Sequence, residues 1–277
     1  MKRVNWFLMV TMISFVAFFA SCTTEELTTV EVNLESTTIA KGASVTGTIT
    51  ALGGLDKVTL LDEKGSTVSN WPVSSFSDLP ILKSNVDGVY TILIPGLADG
   101  SYTLRATDKK AVEANKTFTV GTLKTLANVT TIYCTLSDGS NNSTCASADG
   151  TTYAAKDATA AQQADIDFVY FNASGTSYGI YAPSAVPAAL SGAFASWTTK
   201  NATKFAKTTA ISFATATFAD VKVAADAATE TSVTGLAANT AVVFKTADGK
   251  IGIFKVNSIT LGFLATDNVK INIKVQE

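Results

Sequence analysis

The residues best placed to do chemistry are two acids, Asp165 and Asp167, in the run ADIDFVYF (164–171). Read as a strand, they sit two apart and share a face, as paired carboxylates for sugar hydrolysis do. A second polar cluster lies in SDGSNNSTCASADG (137–150), where Asp138, Ser140, Asn142 and Asp149 offer oxygen ligands at loosely calcium-like spacing. A hand-type loop requires Gly at its sixth position, where Ser143 stands, so a polar hairpin tip is the better account. The chain has no histidine and three cysteines. Imidazole acid–base work and Ser–His or Cys–His nucleophiles are therefore excluded. A zinc site is disfavoured as well, and no metal or cofactor is expected.

The acidic run superficially resembles the DxxDxDxE signature of chitinase-type glycosidases. That family closes its motif with a Glu acting as general acid. Here Tyr170 or Phe171 occupies the region, and from residue 128 onward the acid type recurs only at Glu230 and Glu277. The carboxylates are thus read as solvated acids leading into a buried strand, and the chain as a non-enzyme.

The first 26 residues carry an address. Lys2 and Arg3 precede an apolar run from Trp6 to Ala20, and Ala20-Ser21 stand immediately before Cys22. That is the layout of a secretory signal; the run is shorter than the roughly 20 apolar residues of a spanning helix and is interrupted by Thr11 and Ser14. FFASC resembles the lipobox of bacterial lipoproteins, with Phe19 where Leu is usual. The resemblance implies a signal peptide over 1–21, acylation at Cys22 with a palmitate-type lipid, a tether over 22–27 and a membrane partner reached through that anchor. The TTEE that follows, with Glu25 and Glu26, looks like the acidic export tag of Bacteroidetes surface lipoproteins. It implies an outer-membrane location facing the cell exterior.

Removing residues 1–21 takes away Lys2 and Arg3 and no acid, leaving 19 basic against 23 acidic groups and Arg105 as the only arginine. Nucleic-acid and phosphate binding lean on basic surfaces and arginine forks, so neither partner is expected. With Cys22 assigned to the lipid, Cys134 and Cys145 remain. Separated by ten residues in an oxidising compartment, they are expected to form a disulfide across a hairpin loop.

Thr, Val, Ala and Ser dominate the composition, a β-branched bias that favours strands. The expected fold is all-β: an immunoglobulin-like β-sandwich over 28–121, then a second β-sandwich-like domain over 128–277 with one or two short helices. In the first module 29–34, 45–51, 57–61, 89–94, 101–107 and 116–120 alternate between turn signals. Residues 96–120, GLADGSYTLRATDKKAVEANKTFTV, resemble the closing strands of bacterial immunoglobulin-like domains. That resemblance implies that Tyr102 enters the core near the start of the penultimate strand. In the second module the clearest strands are 166–171, 178–182, 241–246, 250–256 and 269–275. Helices are expected around Pro187–Trp197 and over 218–228, where Phe218, Val221 and Ala225 share a face. TGLAANTAVVFKTADG (234–249) echoes PGLADGSYTLRATD (95–108). WTTKNATKFAKTT followed by the TADGKIG hairpin looks like a C-terminal module of uncharacterised Bacteroidetes surface lipoproteins.

Aromatic residues supply the remaining candidate site. Trp197 with Tyr178 and Tyr181, and Trp71 beside Pro72 in a Ser/Asp-rich loop, would offer flat rings on which a sugar could stack. The function these features point to is binding of an extracellular ligand, a glycan by preference. The alternative is a structural or adhesive surface protein that contacts other proteins.

Overall fold

The computed structural model describes residues 29–68, 82–136, 138–172, 178–262 and 265–277. The signal segment, Cys22, the export tag and Trp71 lie outside the described residues. The protein is all-β, built as two sandwiches in tandem.

In the first sandwich the strands are β1 (Val30–Leu34), β2 (Thr38–Ile39), β3 (Val45–Ala51), β4 (Leu55–Leu61), β5 (Leu82–Val86), β6 (Val89–Ile94), β7 (Gly100–Asp108) and β8 (Glu113–Val120). One sheet runs β1-β3-β6-β5 and the other β2-β8-β7-β4. Two four-stranded sheets, with β3 between β1 and β6 in one and β7 between β8 and β4 in the other, make an immunoglobulin-like sandwich; the short β2 lies parallel along β8. Strict alternation makes this possible. In β3, Val45, Gly47, Ile49 and Ala51 are buried while the intervening threonines are half-exposed. Tyr102 enters the core as expected, stacks on Phe118 at 5.7 Å and donates its phenol to Ala98 O at 2.9 Å. That is the tyrosine corner of the fold.

The second sandwich is made of β9 (Leu123–Thr125), β10 (Thr130–Tyr133), β11 (Asn142–Ala146), β12 (Thr152–Ala154), α1 (Ala160–Asp165), β13 (Ile166–Asn172), β14 (Tyr178–Tyr181), β15 (Lys204–Thr208), α2 (Phe218–Asp226), β16 (Ser232–Thr234), β17 (Ala241–Lys245), β18 (Ile251–Thr260) and β19 (Asn268–Gln276). One sheet runs β10-β19-β18-β17-β15 with β9 also on β19, and the other β12-β11-β13-β14-β16. Phe168 of β13 crosses between them to meet Phe205, Phe244 and Phe254. β17 reads AVVF without alternation because both its faces are covered. Val242 and Phe244 point into the sandwich, and Ala241 and Val243 lie under α2. The echo between 95–108 and 234–249 has a local basis: Gly96 and Gly235 both adopt left-handed φ, 58° and 59°, at the same point of each run.

Three expectations are corrected. The segment around Pro187–Trp197 is helical only as the short 3-10 turn Ala188–Leu190, preceded by another at Pro183–Ala185, and Pro187 withholds a backbone donor. Asp165 and Asp167 share no strand face, because Asp165 ends α1. Asp167 is also not solvated. It is buried in β13 and accepts Ser147 Oγ at 2.6 Å and Ser147 N at 3.1 Å.

The disulfide between Cys134 and Cys145 is not formed either; both thiols are free and buried. β13 separates them. Cys145 pairs opposite Phe168, whereas the Cys134 sulfur accepts the Asn172 amide at 3.3 Å. Those two anchor points are four residues, or about 13 Å, apart along one strand. Burial pushes both thiols upward in pKa, Cys145 furthest, so they are poor nucleophiles.

Candidate functional site

Trp197, Tyr178 and Tyr181 do not form an aromatic platform at the surface. Trp197 is 6% exposed, donates its indole N–H to Ala155 O at 2.8 Å and meets Phe194 edge-on at 4.8 Å. Tyr181 is buried and Tyr178 half-buried; three apart on β14, they point to opposite sheet faces. The three therefore share no exposed face, and Trp197 and Tyr181 offer no open ring to a ligand. The calcium-like loop is likewise spent on turns. Asp138 accepts Ser140 N and Oγ, bonds that lower its pKa, and Asp149 accepts Thr151 N. Among the described residues no group of three or more His, Cys, Asp or Glu could hold a metal ion.

The structure instead opens a cleft of about 450 Å³ where the two sandwiches meet. Its walls come from both. The first domain supplies the turn after β4 (Asp62, Glu63 and Lys64) and the start of β7 (Asp99 to Tyr102). The second supplies α2, Lys245, Ile251 and Gln276. Strand ends meet here because Gly121 and Thr122 alone separate β8 from β9, which pairs at once with β19.

Helix α2 positions the central charges. A capping box fixes its start: Thr217 Oγ1 accepts Asp220 N at 3.3 Å, and the Asp220 carboxylate accepts Thr217 N at 3.1 Å. Phe218, Val221 and Ala225 bury against the sheet, which leaves Phe218, Lys222 and Asp226, at i, i+4 and i+8, along the cleft. Phe218 also seals the junction. A Cβ on Gly121 would lie 2.5 Å from its ring, so this position admits only glycine without displacing the helix.

Lys222 bridges the domains, reaching Glu63 at 3.0 Å and Asp226 at 2.7 Å; Lys245 takes the other Asp226 oxygen at 2.7 Å. Burial alone would lower the Lys222 pKa, but the hydrogen bonds its ammonium donates to Asp226 and Glu63 reverse this and raise it. Burial works to raise Asp226, and its two lysines overcome it and hold the carboxyl low. Lys222 and Asp226 are therefore both charged at neutral pH. Tyr102 is pushed up by burial, then by Asp99, Asp62 and Glu63, so its phenol stays protonated. Asp99 Oδ2 accepts Gln276 Nε2 at 3.1 Å and lies 4.0 Å from Lys41 Nζ. Its Oδ1 is buried with no hydrogen-bond partner among the described residues. An unpaired buried carboxylate oxygen costs more than most polar defects, which marks it as a place for an incoming donor.

Sequence reasoning missed this site. The helix was legible and its apolar face was found, but the polar seam Phe218-Lys222-Asp226 on the same turns was the signal left unread.

No family model matches the chain, and no curated protein matches it. Among solved structures it is similar to a DUF4466 family protein from Parabacteroides merdae, at 13% identity over 89% of this chain and 97% of that one, with a TM-score of 0.40. It is also similar to SGBP-B of a Bacteroides ovatus mixed-linkage glucan utilization locus, solved with a mixed-linkage heptasaccharide. There the identity is 22%, the coverage 36% of this chain and 26% of that one, and the TM-score 0.19. A tandem from titin gives 9% identity, 89% coverage of each chain and a TM-score of 0.25. These likenesses carry no ligand or activity over to this chain.

Proposed function

We propose that this chain is a non-enzymatic lipoprotein of the outer membrane, anchored through Cys22 and facing outward, that binds an extracellular glycan in the cleft between its two sandwiches. The observation that carries the reading is the cleft itself. Its volume of about 450 Å³ lies within the range of small-ligand sites. Four carboxylates (Asp62, Glu63, Asp99, Asp226) face three amines (Lys64, Lys222, Lys245) across it. Sugar hydroxyls donate and accept at once, so an uncharged polyol can satisfy both sets. A phosphate or nucleic acid would meet net negative charge. The non-enzymatic reading is supported by the ion pairs that hold Glu63 and Asp226 against Lys222 and Lys245.

The second reading, a structural or adhesive protein, is favoured by one observation. With Trp197 and Tyr181 buried, the chain presents no stacking platform from those residues. Affinity electrophoresis of the lipid-free chain through soluble polysaccharides, guided by a glycan array, separates the two. A retained glycan should be lost at least tenfold by Lys222→Ala and by Asp99→Asn, since a hydrogen bond to a charged group is worth about 1.5–3 kcal/mol. Trp197→Phe should leave retention unchanged. If no glycan is retained by the wild type, the adhesive reading takes its place.

A further inference from the structure

β7 links two sites. It begins at the cleft with Gly100 and ends at Asp108, about 27 Å away, at the opposite tip of the first sandwich. Three turns meet at that tip and expose apolar side chains: Leu52 is 61% exposed, Val89 37% and Val112 36%. The turns are bonded to one another. Ala51 N donates to Gly88 O, Lys109 N donates to Gly54 O, and Asp108 Oδ1 accepts both Lys110 N and Val112 N. The apolar groups are thus presented on a braced surface rather than on free loops.

The chain enters the fold at this same tip, because Val30 of β1 pairs with Ala51, next to Leu52. Cys22 is eight residues upstream, a reach of at most about 28 Å fully extended and roughly 16 Å as a relaxed coil. We propose that this tip rests on the lipid surface that holds the anchor, with Leu52, Val89 and Val112 entering the boundary between headgroups and acyl chains. The proposal rests on acylation of Cys22. Exposed charges of both signs surround the three turns, Lys57, Lys109 and Lys110 beside Asp56, Asp87 and Glu113, with Glu31 on the adjoining β1, so no basic patch is present. The contact is therefore apolar, with little preference for anionic lipid and little sensitivity to salt. Such a second contact adds to a single lipid anchor, and it orients the sandwich so that β7 stands the cleft away from the membrane.

The test uses the full acylated chain in vesicles of neutral phospholipid. Cys134 and Cys145 are buried, so a thiol-reactive, environment-sensitive dye goes to an introduced cysteine. Leu52→Cys and, as a second reporter, Val112→Cys sample the tip. Val223→Cys, 75% exposed on α2, is the control. Nitroxide-labelled lipid is expected to quench the tip dyes several-fold more than the control, unchanged between low and high salt and on adding anionic lipid. Equal quenching at tip and control, in protein whose mass shows the acyl group on Cys22, overturns the tip contact and leaves the anchor standing. A chain without that acyl mass overturns both.

Discussion

Replacing Phe168 by Ala is expected to destabilise the second sandwich by about 3–5 kcal/mol. The ring is fully buried at the centre of the inter-sheet core, 4.9 Å from Phe244 in an edge-to-face contact, 5.6 Å from Phe254 and 5.8 Å from Phe205. Those three rings come from the opposite sheet and cannot collapse into the gap without moving β15, β17 and β18. The loss therefore combines transfer and cavity costs. For a domain of this size it corresponds to a fall in melting temperature of roughly 10 °C. Far-UV circular dichroism during heating reads it directly. A loss below about 1 kcal/mol would mean that the two sheets do not pack through this ring.

The second large effect is a pH dependence centred on Asp167. Burial raises its pKa to about 6, against the opposing hydrogen bonds from Ser147 and Thr203. The folded state thus holds this proton more tightly than the unfolded chain, where aspartate titrates near its ordinary value. The stabilisation from that proton is fully present below about pH 4. It is lost as pH rises through about 6, since between the two values the folded form is protonated and the unfolded form is not. The gap amounts to about 3 kcal/mol. Urea titrations at pH 4 and pH 7 should show wild type losing that much relative to Asp167→Asn, whose amide cannot ionise and can still meet Ser147. Parallel pH profiles for the two proteins would show that Asp167 does not titrate in this window.

How far the fold was legible depended on whether one face or two faces of an element are buried. β3, β7 and β19 alternate because one face meets the core and the other meets solvent, and each was found close to its true bounds. Thr38–Ile39 and Ser232–Thr234 are only two and three residues long, too short to carry a period. β11, Asn142–Ala146, is written in Asn, Ser and Thr, residues that advertise a turn, yet its last four residues are buried between β12 and β13. That misreading also made the disulfide look natural: a loop between Cys134 and Cys145 would bring them together, whereas a strand carries them apart.

The site was less legible than the fold for a related reason. Trp197 opens a polar stretch, and polarity along the chain suggested exposure. Its indole is instead consumed by a backbone carbonyl and by Phe194. The cleft residues come from the turn after β4 and from β7, α2, β17, β18 and β19, and the junction at Gly121 and Thr122 brings the two domains together.

The most direct test of the cleft is hydrogen exchange by mass spectrometry on the lipid-free chain, with and without a glycan that it retains in affinity electrophoresis. Protection is expected in Asp62–Ser66, Gly100–Tyr102 and Phe218–Asp226, the three segments that wall the cleft from both domains, with little change around Trp197. Protection centred on Trp197 and β14, or none in the three cleft segments despite measurable binding, would contradict the account.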